Sequence, residues 1–242
     1  MVSKPKSAEM HPGPGFRIRL DMERPDPAGV AALGAFPTPN ISDLTNRLYA
    51  MHTAIKPMTS TATIVGPALT VRCYPGDNLM VHKSLDVAQP GDVVVIDTST
   101  SSMNAVLGDL ISTKARHRGI AGFVVDGLIR DQPAIEALGD FPVFARGITP
   151  IGPLHRGPGE INHPISAGGV VVHPGDVIVG DECGVVVVPH ANVGEVLRRL
   201  QEQSAAESDY TDAVARGDFS NDWVDTILDA HGVVAESALD RV

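Results

Sequence analysis

The sequence predicts an α/β fold, and three observations carry that prediction. Valine-dominated runs, "DVVVID" at 92–97 and "GVVVVP" at 184–189, favour strands over helices. Aromatic residues make up only 4% of the 242 residues, so the core has to be built from Val, Ile, Leu and Ala. Between 93 and 146, apolar strand-like runs alternate with helix-like runs, and a βαβαβ rhythm requires parallel pairing through crossovers.

The elements follow in order. Residues 1–27 are rich in Pro and charge and read as an N-terminal arm. Residues 28–190 form the main domain, and 191–242 form a helical C-terminal tail. "TPNISDLTNRLYAM" reads as a helix, with Asn40 or Ser42 as N-cap and Leu44, Leu48 and Met51 on one face. "TIVGPALTVRC" alternates and is punctuated by Gly66-Pro67, so it reads as a strand or a strand pair. Three Pro-Gly-Asp tripeptides begin at Pro75, Pro90 and Pro174. Pro presets φ and Gly accepts φ > 0, which makes each a turn. The second and third lead into near-identical strands. The first leads into the helical "NLMVHKSLDVA", where Asp77-Asn78 either builds the turn or faces a ligand.

A strand at 93–97, a polar loop at 98–107, a helix at 109–117 and a strand at 121–126 come next. A loop at 127–131, a helix at 132–138 and a strand at 142–146 complete the rhythm. "GITPIGPLHRGPGEINHPISAGG" has no clear period and marks a functional or interface loop. Strands near 169–173, 177–180 and 184–188 close the domain, and a helix starts beyond Ala191.

Composition excludes several classes. A net charge of −10 and a pI near 5.3 argue against nucleic acid, whose phosphates need a basic footprint, but not against a basic protein partner. The one dense basic cluster, Lys114 to Arg118, lies in a predicted helix and reads as a solvated face. Cys73 and Cys183 lack CxxC spacing, which speaks against a disulfide framework or a thiolate zinc site. No run approaches the ~20 apolar residues of a membrane span, and the first residues lack a signal-peptide centre. The expected setting is cytoplasmic, with no membrane partner.

One spacing carries chemistry. In "AVLGDLISTKARHRGIAGFVVDGLIRDQPAI", Asp109 is followed by twenty residues and then by Arg130-Asp131. A helix of roughly ten residues runs ~15 Å out, and a strand of about six runs ~20 Å back. Asp109 and Arg130-Asp131 can therefore meet beyond the carboxyl ends of parallel strands, where open α/β folds bind ligands. The N–H groups of Leu110 and Ile111 in the first helical turn favour an anion. Arg130 offers a planar fork for a carboxylate. Asp131 can anchor a hard cation such as Mg²⁺, and Asp109 can hold water or move a proton. Together they describe a site for a 2-oxo acid. The plainer reading remains open: Asp109 as a helix N-cap, and Arg130-Asp131 as a surface ion pair or loop brace.

"GDLISTKARHRGIAGFVVDGLIRD" resembles the family of RraA-like proteins and class II 4-hydroxy-4-methyl-2-oxoglutarate / 4-carboxy-4-hydroxy-2-oxoadipate aldolases. "PGDNLMVHKSLDVAQPGDVVVID", "FPVFARGITP" and "GPGEIN" look like the same family, over about residues 38–190. The resemblance implies a swivelling β/β/α domain with βαβ crossovers, assembled as a homotrimer or homohexamer with sites at subunit interfaces. It implies Mg²⁺ or Mn²⁺ held largely through water, with Asp131 as the direct ligand. It places Arg130 and the backbone from Gly108 through Asp109 and Leu110 to Ile111 around the carboxylate of a pyruvate moiety. Asp109 then orients a water used in proton transfer. The implied reaction is retro-aldol release of pyruvate, with oxaloacetate decarboxylation as a side activity. A glutamate from a neighbouring C-terminal helix is also implied, and the nearest candidate is Glu207.

The same family contains regulators that bind ribonuclease E, and a different metal-dependent reaction on a 2-oxo or hydroxy acid is a third reading. A Schiff-base aldolase would have to use Lys83 or Lys114, both of which read as solvated or ion-paired. His82, His155 and His163 can reach a substrate or serve as packing residues. "GPGE", Gly157 to Glu160, reads as a turn at a subunit contact.

Overall fold

The computed structural model describes residues 7, 9–99 and 103–234. The chain divides into two compact units, Met1–Leu200 and Gln201–Val242.

In the first unit, β3 (Ile64–Cys73), β4 (Val93–Asp97), β5 (Gly122–Ile129) and β6 (Val143–Ile148) pair in parallel. The crossovers contain α3 (Leu79–Val87), α4 (Asp109–His117) and α5 (Gln132–Glu136). β4 is buried at every position, as expected of a central parallel strand covered on both faces. One core cluster packs Leu85, Ile111, Ala115 and Ile135 from the helices against Leu69, Val94, Ile96, Phe123 and Val125.

β3 is one continuous strand that changes partner along its length. Ile64–Pro67 pairs antiparallel with β10 (Val177–Asp181), and Ala68–Arg72 pairs parallel with β4. Gly66-Pro67 marks the handover. A Cβ on Gly66 would lie 2.2 Å from the Gly91 carbonyl oxygen, so only glycine fits there. β10 continues into β11 (Gly184–Val188), and α1 (Pro27–Leu33) and α2 (Thr38–Leu44) are packed into the core beside this pair. The first turns of α6 (Val193–Ala215) add Val193, Val196 and Leu200 to that core.

The three Pro-Gly-Asp segments form the same turn. Gly76, Gly91 and Gly175 have φ of 76°, 89° and 87°, and each Asp N–H returns to the carbonyl three residues back. Asp92 and Asp176 accept the N–H groups of Gln89 and His173, closing each turn with its own carboxylate. Asp77 departs from that pattern. Its Oδ1 accepts the Leu79 N–H at 2.8 Å, and its Oδ2 accepts the Arg156 N–H.

Several elements differ from expectation. The helix at Thr38 stops at Leu44, because Asn46 and Arg47 take φ of 55° and 62°. Its N-cap is Pro37 rather than Asn40 or Ser42. Leu48 is exposed, while Met51 is buried beside β11 through the Ala50–Val186 bridge. The long Gly/Pro-rich stretch carries β7 (Gly159–Ile161) and β8 (Ile165–Ala167), and β8 pairs with β9 (Val170–Val172). The N-terminal segment supplies β1 (Phe16–Ile18), parallel to β7, and Arg24, whose guanidinium grips buried Asp92 with two 2.8 Å bonds. β2 (Lys56–Pro57) closes the far edge on β6.

The second unit contains the remainder of α6 and α7 (Asp222–Ala230), which buries none of its residues. Among the described residues, no helix is long and apolar enough to cross a membrane.

Candidate active site

A short backbone strap builds the site. Ahead of α4 the chain runs parallel to the carboxyl end of β5: Ala105 bridges Leu128, and the Val106 N–H donates to the Leu128 carbonyl at 3.0 Å. The Arg130 N–H then donates to the Leu107 carbonyl, also at 3.0 Å. These rungs fix Gly108-Asp109 beside Arg130-Asp131. Buried Ser112 locks the helix start by donating its hydroxyl to the Gly108 carbonyl at 2.9 Å.

A cleft of about 230 Å³ opens there. Gly108, Asp109, Leu110, Ile111 and Arg130 line it together with Asn78, His82, Gly152 and His155. Asp109 is the first helical residue and Gly108 holds the cap position, so Asp109 is not an N-cap. Its Oδ1 accepts the N–H of Leu110 at 2.7 Å. Asp131 Oδ2 lies 3.1 Å from Arg130 Nε, with the two side chains 40% and 43% exposed. A pair that exposed stabilises little, so stability does not account for its position.

Two glycines make room for these side chains. A Cβ on Gly108 would stand 2.4 Å from Asp131 Oδ2 and 3.0 Å from Arg130 Cγ, and one on Gly152 would stand 2.8 Å from Arg130 Nη1. Asp131 takes a left-handed conformation, φ 56° and ψ 32°, and heads α5 without capping it. Its carboxylate is therefore not committed to its own helix.

The donor set discriminates between metals. Among the described residues no three His, Cys, Asp or Glu side chains cluster as a metal cage. That disfavours zinc, which takes three or four N, S or O ligands from protein. One half-exposed carboxylate with a second nearby suits a hard cation that keeps most of its water.

Other candidates fall elsewhere. Lys83 pairs with Asp86 at 3.3 Å on an exposed face. Within the basic cluster, Arg116 pairs with Asp140 and Arg118 with Asp86, while Ala115 is buried. His163 is buried and is not among the residues lining the cleft; burial, then Arg17 and Arg19, hold its pKa below the usual histidine value. "GPGE" is not a turn through Glu160: that residue lies buried in β7, where its carboxylate takes the Gly15 N–H at 2.9 Å and Arg17 at 2.6 Å. Burial opposes the charged form of Glu160, but those two partners outweigh it and hold the carboxyl below its ordinary range. Glu207 belongs to the second unit, on an exposed stretch of α6, and accepts from Gln203 at 2.9 Å.

Sequence reading did not see Gly152 as a site residue, and it left Asn78, His82 and His155 as alternatives. No spacing rule links 78–82 to 152–155. Hydrogen bonds join them: the Asn78 N–H to the Leu154 carbonyl at 3.0 Å, and the Leu154 N–H to the Gly76 carbonyl at 2.8 Å.

Comparison with known proteins agrees with this architecture. A Halalkalibacterium halodurans protein provisionally named a 4-hydroxy-4-methyl-2-oxoglutarate aldolase is 46% identical over 169 residues, spanning 70% of this chain and 80% of that protein. The crystal structure of Streptomyces coelicolor RraAS2, described as an unusual member of the RNase ES inhibitor RraA protein family, superposes with a TM-score of 0.70. It is 29% identical and covers 79% of this chain and 99% of that one. The Thermus RNA-processing inhibitor RraA gives a TM-score of 0.59 at 30% identity, over 64% and 93% of the two chains. The Aldolase/RraA model matches residues 38–187, well over half of the sequence, and the chain therefore belongs to the RraA-like family.

Proposed function

We propose that the protein is a divalent-metal-dependent lyase that cleaves a 4-hydroxy-2-oxo acid by a retro-aldol reaction and releases pyruvate, with oxaloacetate decarboxylation as a second activity. One observation carries the reading: the Gly108-Asp109 helix start and Arg130 line one cleft, and Asp131, outside the lining itself, adjoins it with Oδ2 3.1 Å from Arg130 Nε. The relatives' provisional aldolase names support it.

The roles follow from the chemistry. The Arg130 guanidinium binds the C1 carboxylate, assisted by the Ile111 N–H in the first turn of α4, since Asp109 Oδ1 takes that of Leu110. Asp131 holds Mg²⁺ or Mn²⁺, whose charge, when bound, stabilises the negative charge that develops on the C2 oxygen as the C3–C4 bond breaks. Asp109 is assigned to orient the water that delivers a proton to C3 of the departing pyruvate. Glu207 of a neighbouring copy is assigned to the distal half of the substrate. The assembly in this reading is a trimer or hexamer with interfacial sites, working in the cytoplasm.

Coupled detection of pyruvate across a panel of 4-hydroxy-2-oxo acids, with and without EDTA, tests the proposal. Metal-dependent pyruvate release is expected, and none from any member of the panel would refute it. A protein-binding regulator of ribonuclease E is the second reading, favoured by the descriptions of the two structural neighbours. It predicts that the chain slows ribonuclease E cleavage even when Asp131 is replaced.

A further inference from the structure

The cleft lining also holds a hydrogen-bonded relay whose proton positions can be deduced. Asn78 is buried and lines the cleft, and its Nδ2 donates to the Val106 carbonyl at 2.8 Å. A carbonyl oxygen only accepts, so the amide nitrogen must face it and the amide oxygen must face away. That oxygen lies 2.6 Å from His155 Nδ1. Nδ1 must therefore carry the proton, and in the neutral ring Nε2 is left with a free lone pair. The Val106 carbonyl belongs to the strap that positions Asp109, so one chain of bonds ties His155 to that strap.

The ring is held in place on two sides. The loop carrying it is stitched to the strap through Ala105 N–H to the Ile151 carbonyl, 2.9 Å, and Asn104 Nδ2 to the Gly152 carbonyl, 2.8 Å. His82 packs edge-on against it with ring centroids 5.3 Å apart. Burial, His155 and Lys114 together hold the pKa of His82 below the usual histidine value, so His82 itself adds little positive charge. An imidazole nitrogen left as an acceptor suits a ligand group that donates a hydrogen bond.

We propose that His155, set in one tautomer by Asn78, is the base that receives the C4 hydroxyl proton of the substrate. This rests on the lyase reading above. The step balances. Nε2 takes the hydroxyl proton, the C4–O bond becomes a carbonyl, and the C3–C4 bond breaks with its electron pair passing into the enolate of pyruvate. C3 then takes a proton from water on the Asp109 side, and the proton that exposed His155 releases to solvent neutralises the hydroxide left there, so no net proton is gained or lost.

The test compares two reactions of the full-length protein with Mg²⁺. Cleavage of 4-hydroxy-4-methyl-2-oxoglutarate needs the C4 hydroxyl proton removed; exchange of the pyruvate methyl protons with D₂O involves no C4 group. In His155→Ala, the ratio of cleavage to exchange is expected to fall ~100-fold or more, the usual contribution of a general base. A ratio within ~3-fold of wild type overturns the proposal and leaves the lyase reading intact. Loss of both reactions in the wild type overturns both. Should the variant fold poorly, ¹⁵N shifts of His155 in the wild-type protein decide instead. Protonated Nδ1 with bare Nε2 is expected in the neutral ring, and the reverse tautomer contradicts the assignment.

Discussion

At the scale of single residues, placement in this cleft depends as much on missing side chains as on present ones. Gly108 matters because a methyl group there would collide with Asp131 Oδ2 and press on Arg130 Cγ. Gly108→Ala is expected to lower kcat/KM ~100-fold, the usual cost of displacing positioning groups by about 1 Å. Thermal stability should change little, since Asp131 and Arg130 are half-exposed. Normal kinetics in that variant would remove the two side chains from the site. A second residue-scale prediction concerns pH. His82 and His163 both have pKa values lowered by burial from the ordinary 6.5. The unfolded chain therefore binds protons more readily, so their contribution is complete above about pH 6.5 and declines as pH falls below it. Urea midpoints should be lower at about pH 5.5 than at about pH 7.5; equal midpoints would contradict the assignment of both rings as neutral in the fold.

At the scale of elements, the parallel core was legible and the peripheral pieces were not. α4 begins at Asp109 and ends at His117 as its pattern predicts, and β4 occupies 93–97. Here propensity, period and tertiary packing agree. The helix expected through Met51 fails because Asn46 and Arg47 turn left-handed, which apolar spacing does not register. The strands hidden in the Gly/Pro-rich stretch are three residues long, too short for alternation to show. The Asp109–Arg130–Asp131 spacing was readable because one crossover fixes it geometrically. The Asn78–His155 contact is 77 residues apart in sequence and is made by loop hydrogen bonds, so no local pattern announces it. The N-terminal segment yields a stability prediction. Asp92 is almost fully buried and is held by Arg24 and its own turn. Arg24→Ala strands that carboxylate and should cost ~3 kcal/mol, within the range for breaking a buried pair. An unchanged denaturation midpoint would show that the segment is not anchored there.

At the scale of the whole molecule, a chain of net charge −10 leaves a group of large apolar side chains uncovered near the cleft. Leu110 is on the cleft wall and 69% exposed, and Ile151 and Leu154 flank Gly152 and His155. Exposed apolar groups gathered at a site mark an interaction surface. Light scattering is accordingly expected to give a trimer or hexamer, and a strictly monomeric active protein would contradict interfacial sites. The proposed reaction assigns Asp131 as the carboxylate that holds the divalent ion. Its most direct measurement is metal activation of pyruvate release in Asp131→Ala beside the wild type. Full dependence on Mg²⁺ or Mn²⁺ in the wild type, with no rescue of the variant at any metal concentration, is the predicted result. Equal activation of both proteins would contradict it.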